Sequence, residues 1–401
     1  MNRVASFPLL DELQRALADI DAQGLRRGRL AVQRRHGPRL VIDGVEYLAF
    51  CSNDYLGLAD HPALVAAVRE GAGRYGVGAG ASHLISGHSE AHHCLEQALA
   101  EFVGLPAALL FSTGYMANLA VVTTLAGRGD AVFADRLNHA SLNDAALLSR
   151  AELYRYPHRD LETLERQLGH VRGRGRVVVT DAVFSMDGDV APLPDLLALC
   201  ERYDAWLVVD DAHGFGVLGP GGRGTLAHFG LCSPRIVYVG TLGKAAGVFG
   251  AFVAGHAVVI DMLVQRARTY LYTTALPPLI AHALLTSLEL IRSADDRRAR
   301  LFRHIARLRS RWNAGPWKLM ESATAIQPLV VGDNARACAA SRALARRGFL
   351  VPAIRPPTVP QGTARLRISL SAAHAEEEVD RLIEAVAQAR AELAASRQAE
   401  A

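Results

Sequence analysis

Lys244 stands in "VGTLGKAAG", residues 239–247, and is one of only two lysines in the chain. The 44 Lys+Arg therefore comprise 42 arginines, with Lys244 and Lys318 as the only side-chain amines. Arginine keeps its proton in a protein. A lysine loses it once burial or a nearby cation lowers its pKa, and it then becomes a nucleophile and a base. Lys244 directly follows the apolar run "RIVYVG", and Gly243 and Ala245 leave room for a bulky group at its amine. Lys318, in "GPWKLM", has no such setting and reads as a surface residue.

Two further motifs give Lys244 a context. "WLVVDDAHG" sets Asp210 and Asp211 at the end of an apolar run, with His213 just after. A carboxylate at a buried strand end needs a cationic partner. A pyridinium nitrogen held by Asp210 would serve, and the ring would then take up the electrons of a carbanion. His213 is placed to meet the phenolic oxygen of the same ring. "AALLFSTGYMANLAVVTTL" reads as strand, tight turn and helix, so Gly114 and Tyr115 would turn backbone N–H groups toward a phosphate. Thr241, three residues before Lys244, adds a hydroxyl. Strand-end Asp, phosphate cradle and isolated Lys together specify pyridoxal 5′-phosphate (PLP), although each alone is a weak signal.

The elements that must carry these residues are legible as short apolar runs. "AALLF", "AVFAD", "ELYRY", "RVVVTD", "WLVVDD", "RIVYVG" and "GAFVAG" alternate with helical stretches. This pattern predicts a mostly parallel sheet covered by helices, with ligands beyond the carboxyl ends of its strands. Ahead of it, Leu10, Leu13, Leu17 and Ile20 recur at helical spacing, and Asp43-Gly44 marks a hairpin in "RLVIDGVEYLAF". After "YLYTTALPP" one long Arg-rich helical stretch, "LLTSLELIRSADDRRARLFRHIARLRSRW", is expected. Strands near "AIQPLVVG", "LVPAIRPP" and "ARLRISLS" follow it. The expected organisation is a helix and basic segment over residues 1–45, a large cofactor-binding α/β domain over 46–290, and a smaller α+β domain over 291–401.

Composition excludes several classes. Half of the 401 residues are hydrophobic, 21% are charged and the net charge is +4, which argues for neither nucleic acid nor membrane as a partner. "RRGRLAVQRR" is basic but lacks interleaved aromatics, so it is expected to be a solvated segment near anionic groups of a substrate. Residues 245–264 are apolar but interrupted by glycines, His256 and Asp261, and read as a buried strand and helix. Five scattered cysteines without a C-x-x-C pair fit a reducing compartment, and Asp11 and Glu12 stand where a signal peptide needs an apolar core. A cytoplasmic location is expected. His92-His93 mimics a metal pair, but neighbours on a helix face different ways, so no metal is expected. "GVGAGASHLISG" mimics a dinucleotide-binding loop without a strand to feed it.

The blocks "SNDYLGL", "GAGASHLISGHS", "STGYMANLA", "DRLNHASL", "DAVFSMDGD", "VVDDAHGFGVLG", "TLGKA", "YTTALPP", "AIQPLVVGDN" and "AIRPPTVPQGTARLRISLSAAH" occur in this order between Ser52 and His374, and the resemblance they carry extends from about residue 25 to about residue 390. In them the chain resembles the α-oxoamine synthases, PLP enzymes of the aspartate-aminotransferase fold type (fold type I). The resemblance implies a decarboxylative condensation of an amino acid with an acyl thioester, catalysed by a homodimer whose active sites lie between subunits. "RPPTVPQGTARLR" is most similar to members that join L-alanine to pimeloyl-CoA or a pimeloyl-carrier protein. A glycine-using member and a non-catalytic partner subunit are the alternatives.

The same resemblance assigns roles. Lys244 is the covalent anchor of the cofactor and the acid/base. Asp210 pairs with the ring nitrogen, His213 and Ser185 lie at the ring oxygen, and His139 lies on the ring face. Gly114, Tyr115 and Thr241 hold the cofactor, and Thr274 reaches its phosphate from the partner subunit. Relatives vary at the Tyr115 position. Asn53 and Arg367 clamp the amino-acid carboxylate, and Arg26 or Arg27, with Thr358, meets the thioester.

Overall fold

The computed structural model describes residues 8–171, 175–312 and 315–400, with side chains of the last helix to residue 395. Residues 1–7 of the expected N-terminal segment and Ala401 of the expected C-terminal domain lie outside them.

All seven expected runs of the α/β region form one seven-stranded sheet. Its spatial order is Ala107–Phe111, Ala251–Gly255, Ile236–Thr241, Trp206–Asp210, Arg176–Asp181, Ala131–Asp135 and Glu152–Tyr156. Only Ala251–Gly255 runs antiparallel to its neighbours; the remaining pairs are parallel. The runs are continuously apolar because both faces are covered. Leu207 and Val209 enter one core and Val208 the other.

Parallel strands bring their carboxyl ends to one edge, so Asp135, Asp181, Asp210 and Thr241 all finish there. The register pairs Asp181 with Asp210 and sets Asp210 beside Val239. Two buried carboxylates thus sit side by side at the point where a ligand is expected.

The hairpin turn is as expected: Arg39–Ile42 pairs with Val45–Ala49 across Asp43 (φ 50°) and Gly44 (φ 77°), the left-handed pair that a two-residue hairpin requires. The basic segment differs from expectation. Val32–His36 within it forms a strand against Arg39–Ile42, every residue exposed, so no apolar alternation announced it. This small sheet continues by parallel pairing to Phe349–Leu350. The long Arg-rich helix is two helices, Pro278–Arg292 and Asp295–Arg311. The first ends at Ser293, and Asp295 and Asp296 open the second, where acidic groups favour a helix start. Lys318–Leu319, Ile326–Gly332, Ala364–Ser369 and Ala353–Ile354 form the last sheet. The segment "GVGAGASHLISG" follows the helix Pro62–Tyr75, not a strand. His92 is buried and donates Nε2–H to the Leu276 carbonyl (2.6 Å), while its neighbour His93 is exposed.

His158 is the polar pin behind the sheet edge. Its Nδ1 is 3.1 Å from Asp135 Oδ2 and its Nε2 2.9 Å from Asp189 Oδ2. Burial works against its charge, but the two carboxylates prevail and raise its pKa to about 9. A raised histidine pKa stabilises the fold in full below its unfolded value, and that contribution is lost as pH climbs through 9. His158→Gln is expected to cost about 3 kcal/mol of unfolding free energy at pH 6 and far less at pH 10. Urea denaturation at the two pH values checks this; an equal loss at both would contradict it.

Candidate active site

Lys244 sits in the turn after strand Ile236–Thr241. The turn closes by a bond from Gly247 N–H to the Lys244 carbonyl (2.9 Å). Gly247 has φ 70°, and a Cβ there would lie 2.7 Å from the backbone of Leu58 and Ala59, so only glycine lets the two loops touch. The touching loop is held by Asp54, which accepts from Leu58 N–H (2.8 Å) and Ala59 N–H (3.1 Å). Through this contact the loop that carries Asn53 and Tyr55 is fixed against the loop that carries Lys244.

Burial lowers the Lys244 amine to about 8, with Asp210 and Asp181 opposing and Arg367 assisting. No carboxylate forms an ion pair with it among the described residues. Its contact is His213 Nε2, at 3.0 Å. A chain of donors fixes the roles. Arg367 Nη1 donates to Asn53 Oδ1 (3.2 Å), as does the Tyr55 hydroxyl (3.2 Å). Tyr55 oxygen then accepts from His213 Nδ1–H (2.6 Å), leaving Nε2 as an acceptor for Lys244 Nζ–H. His213 is neutral in this network: burial, then the charges of Lys244 and Arg367, push its pKa well below the usual range.

Asp210 is buried and held by neutral donors only. Asn118 Nδ2 donates to Oδ2 (2.7 Å) and Ala212 N–H to Oδ1 (3.0 Å). Asp181 accepts from His139 N–H (2.6 Å), and burial followed by repulsion from Asp210 drives its pKa far up. Asp211 points away from the cavity, to the Tyr238 hydroxyl (2.9 Å) and Thr225 N–H (2.7 Å). Burial raises it to about 7, so it belongs to the packing behind the site.

Gly114, Tyr115, His139, Ser185, Asp210, His213, Thr241 and Lys244 line one cavity of about 240 Å³. Gly114 and Tyr115 open the helix Gly114–Leu125; Thr113 caps it through Met116 N–H (3.2 Å), which leaves the Gly114 and Tyr115 N–H groups without a partner among the described residues. The exposed Tyr115 hydroxyl is bonded to Asp144. Ser141 Oγ anchors the His139 ring at Nδ1 (2.7 Å) and accepts from Asn118 (2.8 Å). Burial lowers the His139 pKa against the pull of Asp210.

Arg367 stands on strand Ala364–Ser369, buried, donating to the Ser185 carbonyl (2.6 Å), Asn53 and Ser369 Oγ (2.8 Å). Among the described residues it has no carboxylate partner. Arg27 and Thr358 line one small cavity, whereas Arg26 lines another and lies 3.6 Å from Asp21. Thr358 also lines a larger cavity of about 550 Å³ that shares His139 and Ser185 with the Lys244 cavity. Thr274 is exposed and does not line the Lys244 cavity of its own chain.

A family model described as aminotransferase class I and II matches residues 45–386. The chain belongs to this family. Among curated members it is 62% identical over 380 residues to the 8-amino-7-oxononanoate synthase of Nitrosospira multiformis, covering 94% of this chain and 96% of that one. The solved 8-amino-7-oxononanoate synthase of Francisella tularensis superposes with TM-score 0.75 at 32% identity, over 85% of this chain and 97% of that one. A serine palmitoyltransferase of S. paucimobilis with bound PLP-myriocin superposes with TM-score 0.89 at 31% identity, over 95% and 97% of the two chains. Within the aminotransferase family the chain is an α-oxoamine synthase, as its motifs imply.

The residues fit the PLP of this aminotransferase family. A buried carboxylate without a cation, two free N–H groups at a helix start and a lysine amine near neutrality face one cavity. A Cβ at Gly114 would lie 2.8 Å from Thr241 Cγ2, so the cradle has no room for a side chain. Gly114→Ala is therefore expected to weaken PLP binding about 10-fold, equal to about 1.4 kcal/mol. Titration of the apoprotein with PLP measures it, and unchanged affinity would contradict the cradle assignment.

Proposed function

We propose that this protein joins L-alanine to a pimeloyl thioester with loss of CO2, forming 8-amino-7-oxononanoate for biotin biosynthesis. Similarity at 62–63% identity to 8-amino-7-oxononanoate synthases over nearly the whole chain supports this reading. The single observation that carries the chemistry is the pairing of complementary deficits around Lys244 and His213: among the described residues buried Asp210 has no ion-paired cation and buried Arg367 no carboxylate.

PLP, when bound, supplies the electron sink for charge on the amino-acid α-carbon. Lys244 would hold it covalently, with Asp210 toward the ring nitrogen, His213 and Ser185 toward the ring oxygen, and His139 toward the ring face. Gly114, Tyr115 and Thr241 would receive the phosphate end, and Thr274 would do so from a second subunit of a homodimer. Arg367, steadied by Asn53 and Ser369, binds the alanine carboxylate; a guanidinium fork fixes both oxygens of a carboxylate. Nζ of Lys244, which loses its proton around pH 8 and is oriented by His213 Nε2, removes the α-proton and later returns one. Thr358, with Arg26 or Arg27, positions the thioester, whose sulfur leaves as a thiol on coenzyme A or a carrier protein. Among the described residues no helix is long and apolar enough to cross a membrane.

A CO2-release assay that pairs alanine, glycine and serine with pimeloyl, acetyl and succinyl thioesters tests the proposal. Release is expected from alanine with the pimeloyl thioester. Release only from glycine with a short thioester would overturn it.

A further inference from the structure

The larger cavity, about 550 Å³, meets the Lys244 cavity along His139 and Ser185, so an acyl chain reacting beside Lys244 extends into it. Phe184, Met186, Val359 and Pro360 give it apolar walls suited to methylene groups. Arg136 and Arg155 also line it. Arg155 Nη2 donates to the Arg136 carbonyl (2.9 Å), which places the exposed Arg155 guanidinium against the backbone of Arg136, just beyond the adjoining strand. Neither guanidinium has an ion pair among the described residues. The one carboxylate of the lining, Asp187, is already matched by the buried Arg365. The cavity therefore has apolar walls and an uncompensated positive charge. That charge would be wasted on a hydrocarbon tail, and it suits a chain that ends in a carboxylate.

We propose that Arg136 and Arg155 determine acyl-donor specificity by binding the distal carboxylate of an α,ω-dicarboxylic acyl chain. This rests on the pimeloyl reading above and adds the residues that select for it. They act on ground-state binding of the donor and not on the proton transfers at Lys244.

The test uses the PLP-loaded enzyme with saturating alanine and two seven-carbon donors, pimeloyl-CoA and heptanoyl-CoA, which differ at the distal end only. Wild type is expected to favour pimeloyl-CoA in kcat/KM. In Arg136→Gln and Arg155→Gln the pimeloyl-to-heptanoyl ratio is expected to fall by about 10- to 100-fold, chiefly through the pimeloyl KM. Arg136→Lys keeps the charge and should restore part of the ratio. A ratio that stays within about 3-fold of wild type, whatever the absolute loss, would overturn the proposal and place the arginines at the coenzyme phosphates or in folding. Wild type that turns over neither seven-carbon chain with alanine, whether offered as the coenzyme A or the carrier-protein thioester, would instead remove the underlying pimeloyl reading, and this proposal with it.

Discussion

Lys244→Arg is expected to lower turnover by at least about 10³-fold at saturating PLP, because it retains a cation but removes both the nucleophile and the base. The substitution is a sharper probe than alanine. Arginine fills the same space, keeps its proton under all working conditions and still reaches toward His213. CO2 release from alanine and pimeloyl-CoA measures the loss, and activity within 10-fold of wild type would sink the assignment. A pH dependence accompanies it. The amine, lowered to about 8 by burial, must be neutral to attack the cofactor. Capture of PLP by the apoprotein, followed by the visible absorption of the lysine-bound cofactor, should quicken with rising pH and level off above about 8. A midpoint at the ordinary lysine value would mean an amine in open solvent. The same shift carries a stability sign. The unfolded chain holds the proton between about 8 and the ordinary lysine value of 10.5 and the folded one does not, so this group's contribution to apoprotein stability rises with pH across that window.

The residues that were legible beforehand and those that were not differ by the range of the contacts that place them. Asp210, Thr241 and Lys244 announce themselves through local context, each at or just beyond an apolar run that two covered faces force to be apolar. Gly114 opens a helix after a short apolar run, so it is legible locally, whereas His139 enters through the family resemblance and the structure shows it capping the helix Ala140–Ser149. Asn118, Tyr55 and Ser141 also stand in quoted blocks, but nothing local marks what they bond. Asn118 reaches Asp210 from 92 positions away and Tyr55 reaches His213 from 158, so only the fold shows them to be part of the site. Asp181 stood in a recognised block, but its place beside Asp210 is a property of strand register. The elements that escaped follow the same logic. Val32–His36 pairs with no buried face, and Phe349–Leu350 is two residues long and exists because Val45–Ala49 offers it a partner. The break at Ser293 lies inside a continuous helical periodicity, marked only by the acidic pair that restarts the helix.

Asp210→Asn is the second large effect, and it separates function from folding. A carboxylate about 4 Å from a ring cation is worth about 4 kcal/mol at an effective dielectric of about 20, or about 10³-fold in rate if the charge is needed in the transition state. Turnover is expected to fall by that order, while alanine still binds through Arg367. The apoprotein should behave in the opposite way. Asp210 is buried beside Asp181 and Asp211, each of which it repels, and before PLP arrives no cation forms an ion pair with it. Asparagine can still accept from Ala212 N–H, and it removes the buried carboxylate whose repulsion helps to raise Asp181 and Asp211. Apo Asp210→Asn should therefore melt no lower than apo wild type, and the melting gain on adding PLP should shrink relative to wild type. If the apo variant unfolds several degrees lower and PLP restores it fully, Asp210 is a structural carboxylate and the ring-nitrogen assignment is wrong. If instead stability holds and turnover collapses, the strain of gathering three carboxylates at one sheet edge is explained by the cation it waits to receive.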